Sequence, residues 1–199
     1  MLTLRRPTDH AIREFVKTRR DAPYSYRHIG ASREKQALPG FRADHHRVLL
    51  GRGDEVFERA IAAWRSWKMF PPQIVELCWP EATIEPGVVV AGLYRGPGLW
   101  AVLPCRIVYG IEETTGNLRR FGFGYGTLQG HWESGEERFL VEQLPSGEVY
   151  YDLFALSRPA HWLARIGYPF TRREQARFRR LSGEAMQASA RDESRGTSE

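Results

Sequence analysis

The sequence predicts an α+β fold: a curved antiparallel seven-stranded sheet gripping one long C-terminal helix, with a helical N-terminal extension. Three observations predict it. Between residues 74 and 157, apolar side chains recur at every second position in runs separated by turn residues. The runs repeat at about ten-residue intervals with no helix between them, the pattern of hairpins rather than of βαβ units. Residues 160–189 carry apolar side chains at helical spacing and supply a cover for the face such a sheet leaves open. The composition, 42% hydrophobic and 27% charged over 199 residues, is that of one ordinary globular domain with a sizeable core.

The elements follow in order. Residues 8–20 form a short helix with Ile12, Phe15 and Val16 on one face and Thr8 or Asp9 as its cap. Residues 21–40 hold Pro23, Gly30, Pro39 and Gly40 and read as an ordered loop. His46–Leu50 is a short strand. Gly53-Asp54 opens a helix whose stripe is Val56, Phe57, Ala60, Ile61, Trp64 and Trp67, and Pro71-Pro72 ends it. The strands of the meander are Ile74–Trp79, Val88–Tyr94, Leu99–Ile111, Leu118–Leu128, Glu136–Leu144 and Glu148–Ser157. Arg158-Pro159 stops the sheet. The last helix has Trp162, Leu163, Ile166 and Phe170 on one face, a kink or restart at Pro169, and a capping box from Thr171 to Glu174. Phe178, Leu181 and Ala185 continue the stripe, with Arg173, Arg177 and Arg180 on another face. This divides the chain into a basic extension over residues 1–40, a domain over 41–189 and a polar tail over 190–199. A mixed sandwich of other topology is the competing arrangement.

The net charge of +5 is unevenly spread. Residues 1–40 hold nine basic and four acidic side chains, 41–160 hold twelve and fifteen, and 161–199 hold eight and five. The β core is therefore slightly acidic. No helix-turn-helix, zinc-finger or RNP-type aromatic motif accompanies the basic ends, so nucleic acid is not the expected partner. No apolar run reaches the ~20 residues of a membrane-spanning helix, and the N-terminus lacks the apolar core of a secretory signal. Cys78 and Cys105 sit in apolar strand-like runs and read as reduced, buried thiols, which points to the cytoplasm. No cofactor and no metal are expected. His45 and His46 would point to opposite faces of a strand and make poor joint ligands.

Four stretches carry a family resemblance: WRSWKMFP (64–71), LPCRIVYGIEE (103–113), RRFGFGYGTLQGHWESGEERFLVE (119–142) and YDLFALSRPAHWLARIGYPF (151–170). They resemble the family catalogued as domain of unknown function nineteen-ninety, over about residues 24–188. The family pattern has Pro and a small residue where this chain has Gln129 and Trp132, so the loop before Glu133 is shaped differently here. That family name implies no activity. The element order also resembles the helix-grip group of START and Bet v 1-like proteins, which implies an apolar cavity between sheet and C-terminal helix.

Candidate functional residues follow from strand parity. Cys105, Ile107, Tyr109 and Ile111 alternate on one face of the long strand, with Arg106 and Val108 on the other. Gly122, Gly124 and Gly126 share one face of the next strand and Phe121, Phe123 and Tyr125 the other. The bare glycine face admits either the docked helix or a ligand. His131, Glu133, Glu136, Glu137 and Arg138 form the densest polar cluster. Glu137 shares parity with Phe139. If that face is concave, Glu137 is partly buried and needs a partner, drawn from Arg106, Arg119, Arg120, Arg138 and Arg158. The ligand-contact candidates are Cys105, Arg106, Tyr109, Phe123, Tyr125, His131, Glu133, Glu137, Arg138 and Arg158, with Glu137 the weak catalytic candidate. The leading expectation is a module that binds a small apolar or amphipathic molecule between sheet and helix. One alternative is a cavity enzyme of cyclase or hydrolase type using Glu137, Tyr109 or Tyr125. The other is a module for an anionic or protein partner, working through the basic ends. The sequence leaves the ligand, the reaction and the oligomeric state open.

Overall fold

The structure is a computed structural model that describes residues 1–96, 98–160 and 167–191. The elements are β1 (Leu2–Thr3), α1 (Asp9–Lys17), β2 (Arg42–Arg52), α2 (Asp54–Arg65), β3 (Val75–Cys78), β4 (Val89–Gly96), β5 (Leu99–Thr115), β6 (Leu118–Thr127), β7 (Glu133–Gln143), β8 (Glu148–Pro159) and α3 (Tyr168–Ala190). The long strands pair in the order β2-β8-β7-β6-β5-β4-β3, all antiparallel. The α+β sheet-and-helix architecture predicted from the spacing is thus present, with eight strands rather than seven. The eighth is β1, two residues too short to leave a periodic signal. It pairs with Ala101 and Trp100, on the part of β5 that β6 does not reach.

Both faces of the sheet are covered. On the inner face, Phe57, Ile61, Trp64 and Trp67 from the α2 region and Met186 and Ala190 from α3 pack on Phe123, Phe139, Val141, Tyr151 and Leu153. Truncating a ring such as Phe139 there would cost about 3–5 kcal/mol. The helix seats closely: Tyr151 Oη and Ser182 Oγ are 2.7 Å apart, both buried. A Cβ at Gly183 would lie 2.9 Å from His46 Nε2. On the outer face, α1 packs Ile12 against Ala91, Leu93 and Val102, and the loop after it packs Ala31, Leu38 and Phe41 against Phe154 and Leu156. The basic first forty residues are therefore stitched onto the sheet.

Local signals behaved unevenly. Thr8 caps α1, its Oγ1 accepting the Ala11 N–H at 3.2 Å. Gly53 precedes α2 with φ 91°, a conformation costly for any other residue. The strand expected from His46 begins at Arg42: Asp44 pairs with Arg172 and His45 hydrogen-bonds Asp152, so the added residues find polar partners instead of an apolar face. The last described helix starts at Tyr168 after Gly167, so of the kink or restart expected at Pro169 it is a start that is found, with the proline in the first turn, where a missing N–H costs little. The capping box is not formed: Thr171 Oγ1 donates to Gly167 O at 3.2 Å. Trp162, Leu163 and Ile166, and the tail from residue 192, lie outside the described residues.

Two parity expectations need correction. Val108 forms a bulge, because the β5–β6 register jumps from Ile107↔Tyr125 to Tyr109↔Gly124. One extra residue reverses the faces beyond it, so Cys105 and Ile107 point inward while Tyr109 and Ile111 point outward. The glycine stripe receives neither the helix nor an open patch. A Cβ at Gly124 would sit 2.3 Å from the Tyr109 ring, and one at Gly126 2.1 Å from Tyr26 Oη. The stripe is a seat for two tyrosines on the outer face.

Candidate functional site

A cavity of about 210 Å³ lies between the inner face of the sheet and α3. Its walls include Phe70, Ile74, Leu77, Val90, Leu103 and Phe178. The polar groups reach it by the alternation of β7: Glu133, Glu137 and Phe139 face inward, while Glu136, Arg138 and Leu140 face outward. Tyr125 is the direct cross-strand neighbour of Glu137, and its hydroxyl donates to Glu137 Oε2 at 2.7 Å.

The electrostatics of this pair are set by enclosure. Burial pushes the Glu137 carboxyl up to about 7, against the Tyr125 hydrogen bond and the charge of Arg179, which pull it down. Glu133 is also raised, again chiefly by burial, although Gln175 Nε2 donates to it and Arg172 lies near. At the rim, Arg172 makes a two-pronged contact with Asp44 at 2.5 and 2.7 Å, and Arg179 approaches the same carboxylate at 3.4 Å. Burial raises Asp44, but these arginines outweigh it and hold the carboxyl low. His131 Nδ1 accepts the Glu133 N–H at 3.0 Å, and burial lowers the ring to about 4, so it is neutral at pH 7.

Five of the ten sequence-predicted residues line the cavity: Cys105, Tyr125, His131, Glu133 and Glu137. The Cys105 thiol is buried and pushed well up, which leaves it unreactive. Phe123 stands behind them, fully buried and stacked on Phe139 at 5.1 Å. The other four are on the outer face. Arg106 donates to the carbonyls of Arg19, Arg20 and Ala22 after α1. Tyr109 Oη lies 2.6 Å from Ser32 Oγ. Arg138 bonds Asp152 Oδ1 at 2.8 Å and Arg33 O at 2.6 Å. Arg158 lies 4.6 Å over the Phe41 ring. None of the five arginines offered as partners for Glu137 reaches it; its hydrogen bond is with Tyr125.

Asp44, Gln175 and Arg179 were not singled out from the sequence. A signal existed for the last two: residues 172, 175, 179, 182 and 186 are spaced three and four apart, on the face that meets the sheet. Of the arginines read as a separate stripe, Arg177 pairs with Glu174 at 3.5 Å and Arg180 with Glu184 at 2.7 Å. Among the described residues no helix is long and apolar enough to cross a membrane.

Comparison with known proteins adds the following. The family described as domain of unknown function (DUF1990) matches residues 25–185. A UPF0548 protein of Dictyostelium discoideum is 32% identical over 196 residues, spanning 89% of this chain and 90% of its own length. A UPF0548 protein of Deinococcus radiodurans is 35% identical over 187 residues, spanning 89% and 92%. Among solved structures, a hypothetical protein of Helicobacter pylori superposes with a TM-score of 0.54 at 10% identity, covering 85% of this chain and all of that one. It shares the fold.

Proposed function

This chain belongs to the DUF1990 family, whose name carries no activity, and from its cavity we propose that it binds a small, mostly apolar molecule between sheet and C-terminal helix. The observation that carries this reading is an apolar-walled space with two incompletely bonded carboxyls, Glu133 and Glu137, in its lining. At about 210 Å³ the space exceeds the ~150 Å³ that admits benzene and falls below the ~300 Å³ of drug-sized sites. A ligand about the size of one substituted ring suits it. Native mass spectrometry of the purified protein, followed by organic extraction, tests this. A small molecule should accompany the wild-type chain and be lost from a Leu103→Trp variant, which fills the space. A wild-type chain that carries nothing and binds no ring-sized probe would refute the reading.

A second reading rests on the Glu137–Tyr125 pair. A buried carboxyl that exchanges its proton near pH 7 at the wall of a solvent-reachable cavity suits general acid–base chemistry. Any turnover found by substrate screening should then follow a pH profile with a midpoint near 7 that Glu137→Gln abolishes. Turnover that survives that substitution unchanged would exclude Glu137 from the chemistry.

A further inference from the structure

The cavity's hydrogen-bond inventory is lopsided, and the imbalance says what kind of polar group a ligand would bring. Glu137 Oε2 accepts from Tyr125, while Glu137 Oε1 has no partner among the described residues. Glu133 receives the Gln175 amide on Oε1 and nothing on Oε2 within the same set. The lining cation Arg179 and its neighbour Arg172 do not answer these oxygens, because both turn to Asp44. Gln175 is also spent: its Oε1 accepts from Arg172 and its Nε2 serves Glu133 and Ser157. What the carboxyl and amide side chains leave open toward the space is acceptor capacity set in apolar walls, beside the Tyr94 and Ser157 hydroxyls and the neutral His131 ring.

Resting on the binding reading above, we infer that the ligand is a small apolar amine whose ammonium group docks on Glu137 Oε1, with its hydrocarbon body against Phe70, Leu103 and Phe178. An ammonium donates three hydrogen bonds and accepts none, which matches the open oxygens. A proton occupies the same role when the site is empty, since burial holds the Glu137 carboxyl up to about 7. Ammonium and proton therefore compete, and binding should release a proton and tighten as pH rises. Other charged or titratable groups face the space from every side: Tyr94 on β4, Cys105 on β5, Tyr125 on β6, His131 in the loop before β7, Glu133 on β7, Asp44 on β2, and Glu174 and Arg179 on α3, with Arg172 close behind. Asp44, Tyr94, Cys105, Tyr125 and His131 each keep one protonation state between pH 6 and 8, and the rise of Glu133, driven by burial, has the same sign as that of Glu137.

The test is calorimetric titration of the full chain with 2-phenylethylamine, 2-phenylethanol and 3-phenylpropanoate at pH 6, 7 and 8. The amine should bind at least about tenfold tighter than the alcohol at pH 8, because a charge-assisted bond replaces a neutral one. The preference should shrink toward pH 6, and Glu137→Gln should remove it while leaving alcohol binding in place. Tyr125→Phe serves as a second variant, since losing that donor should move the pH midpoint upward. Alcohol or carboxylate bound as tightly as the amine, or an amine preference that survives in Glu137→Gln, would overturn the amine assignment and leave the cavity reading standing. Failure of all three probes to bind would overturn both.

Discussion

The two faces of the sheet bury carboxyl groups and treat them in opposite ways. On the outer face Asp152, fully buried, is bonded by Lys35, His45, Arg47 and Arg138, at 2.8 to 3.1 Å. Burial alone would raise it, but hydrogen bonds from His45, Arg47 and Arg138 hold it far below the usual carboxylate range. Next to the cavity residue in sequence, Glu136 also points outward. It accepts from Tyr26 Oη, the N–H groups of Gly30 and Ser32, and Ser32 Oγ. On the inner face Glu137 has one hydroxyl. Consecutive glutamates on one strand thus differ in role because β alternation sends them to different neighbours. A saturated acid fastens the chain, whereas an unsaturated one keeps capacity for something that arrives.

The largest test breaks the saturated side. Asp152→Asn should cost about 3–5 kcal/mol at pH 7, measured by urea unfolding, because Arg138 is left buried without its charge partner. The pH dependence has a defined sign. A depressed folded value contributes stability that is present above the unfolded value of about 3.9 and lost as pH falls further. Wild type should therefore lose this contribution below about pH 4, and the variant should show no such loss. A variant as stable as wild type would remove the contrast between the faces.

The next test concerns the glycine seat. Gly124→Ala places a methyl 2.3 Å from the Tyr109 ring and should cost roughly 1–3 kcal/mol in thermal or urea unfolding. Removing Tyr109 as well, as Gly124→Ala/Tyr109→Ala, should make the two losses non-additive. On the unsaturated side the sign reverses. Glu137 is raised in the fold, so its stability contribution is present below the unfolded value of about 4.3 and lost as pH rises through 7. Glu137→Gln should therefore gain up to a few kcal/mol at pH 8 and little at pH 5, by urea unfolding at both values. No gain at pH 8 would show Glu137 to be as well compensated as Asp152. The smallest effect belongs to the exposed Arg180–Glu184 pair, where Glu184→Ala should change the unfolding free energy measured in urea by less than ~0.5 kcal/mol.

Much of this architecture was legible because strand and helix periods are properties of neighbouring residues. The α2 stripe from Phe57 to Trp67, the hairpins around Gly116 and Gly147, and the shared face of Glu137 and Phe139 all follow from local spacing, whereas the inward direction of that face does not. What escaped depends on distant parts of the chain. The bulge at Val108 is visible only in the pairing with β6, and no side-chain pattern announces it. That single residue accounts for the misplacement of Tyr109. The glycine stripe was correctly read as a close approach, but its occupants, Tyr26 and Tyr109, come from a loop and a reversed strand face. Within the cavity, the strand residues were legible from alternation. Asp44, Gln175 and Arg179 were not, because their meeting requires β2 and α3 to be docked.

The outer fastening also sets an order of events in the making of the chain. Tyr26, Ser32 and Lys35 are made before the acids that hold them, which follow 104 to 117 residues later. Strand β2 likewise waits for β8, its neighbour in the sheet. Contacts of such separation make closure entropically late and folding slow. Until Asp152 and its neighbours have been synthesised, Lys35 lacks the carboxylate it bonds and β2 has no strand to pair with, which leaves an open edge on the nascent chain.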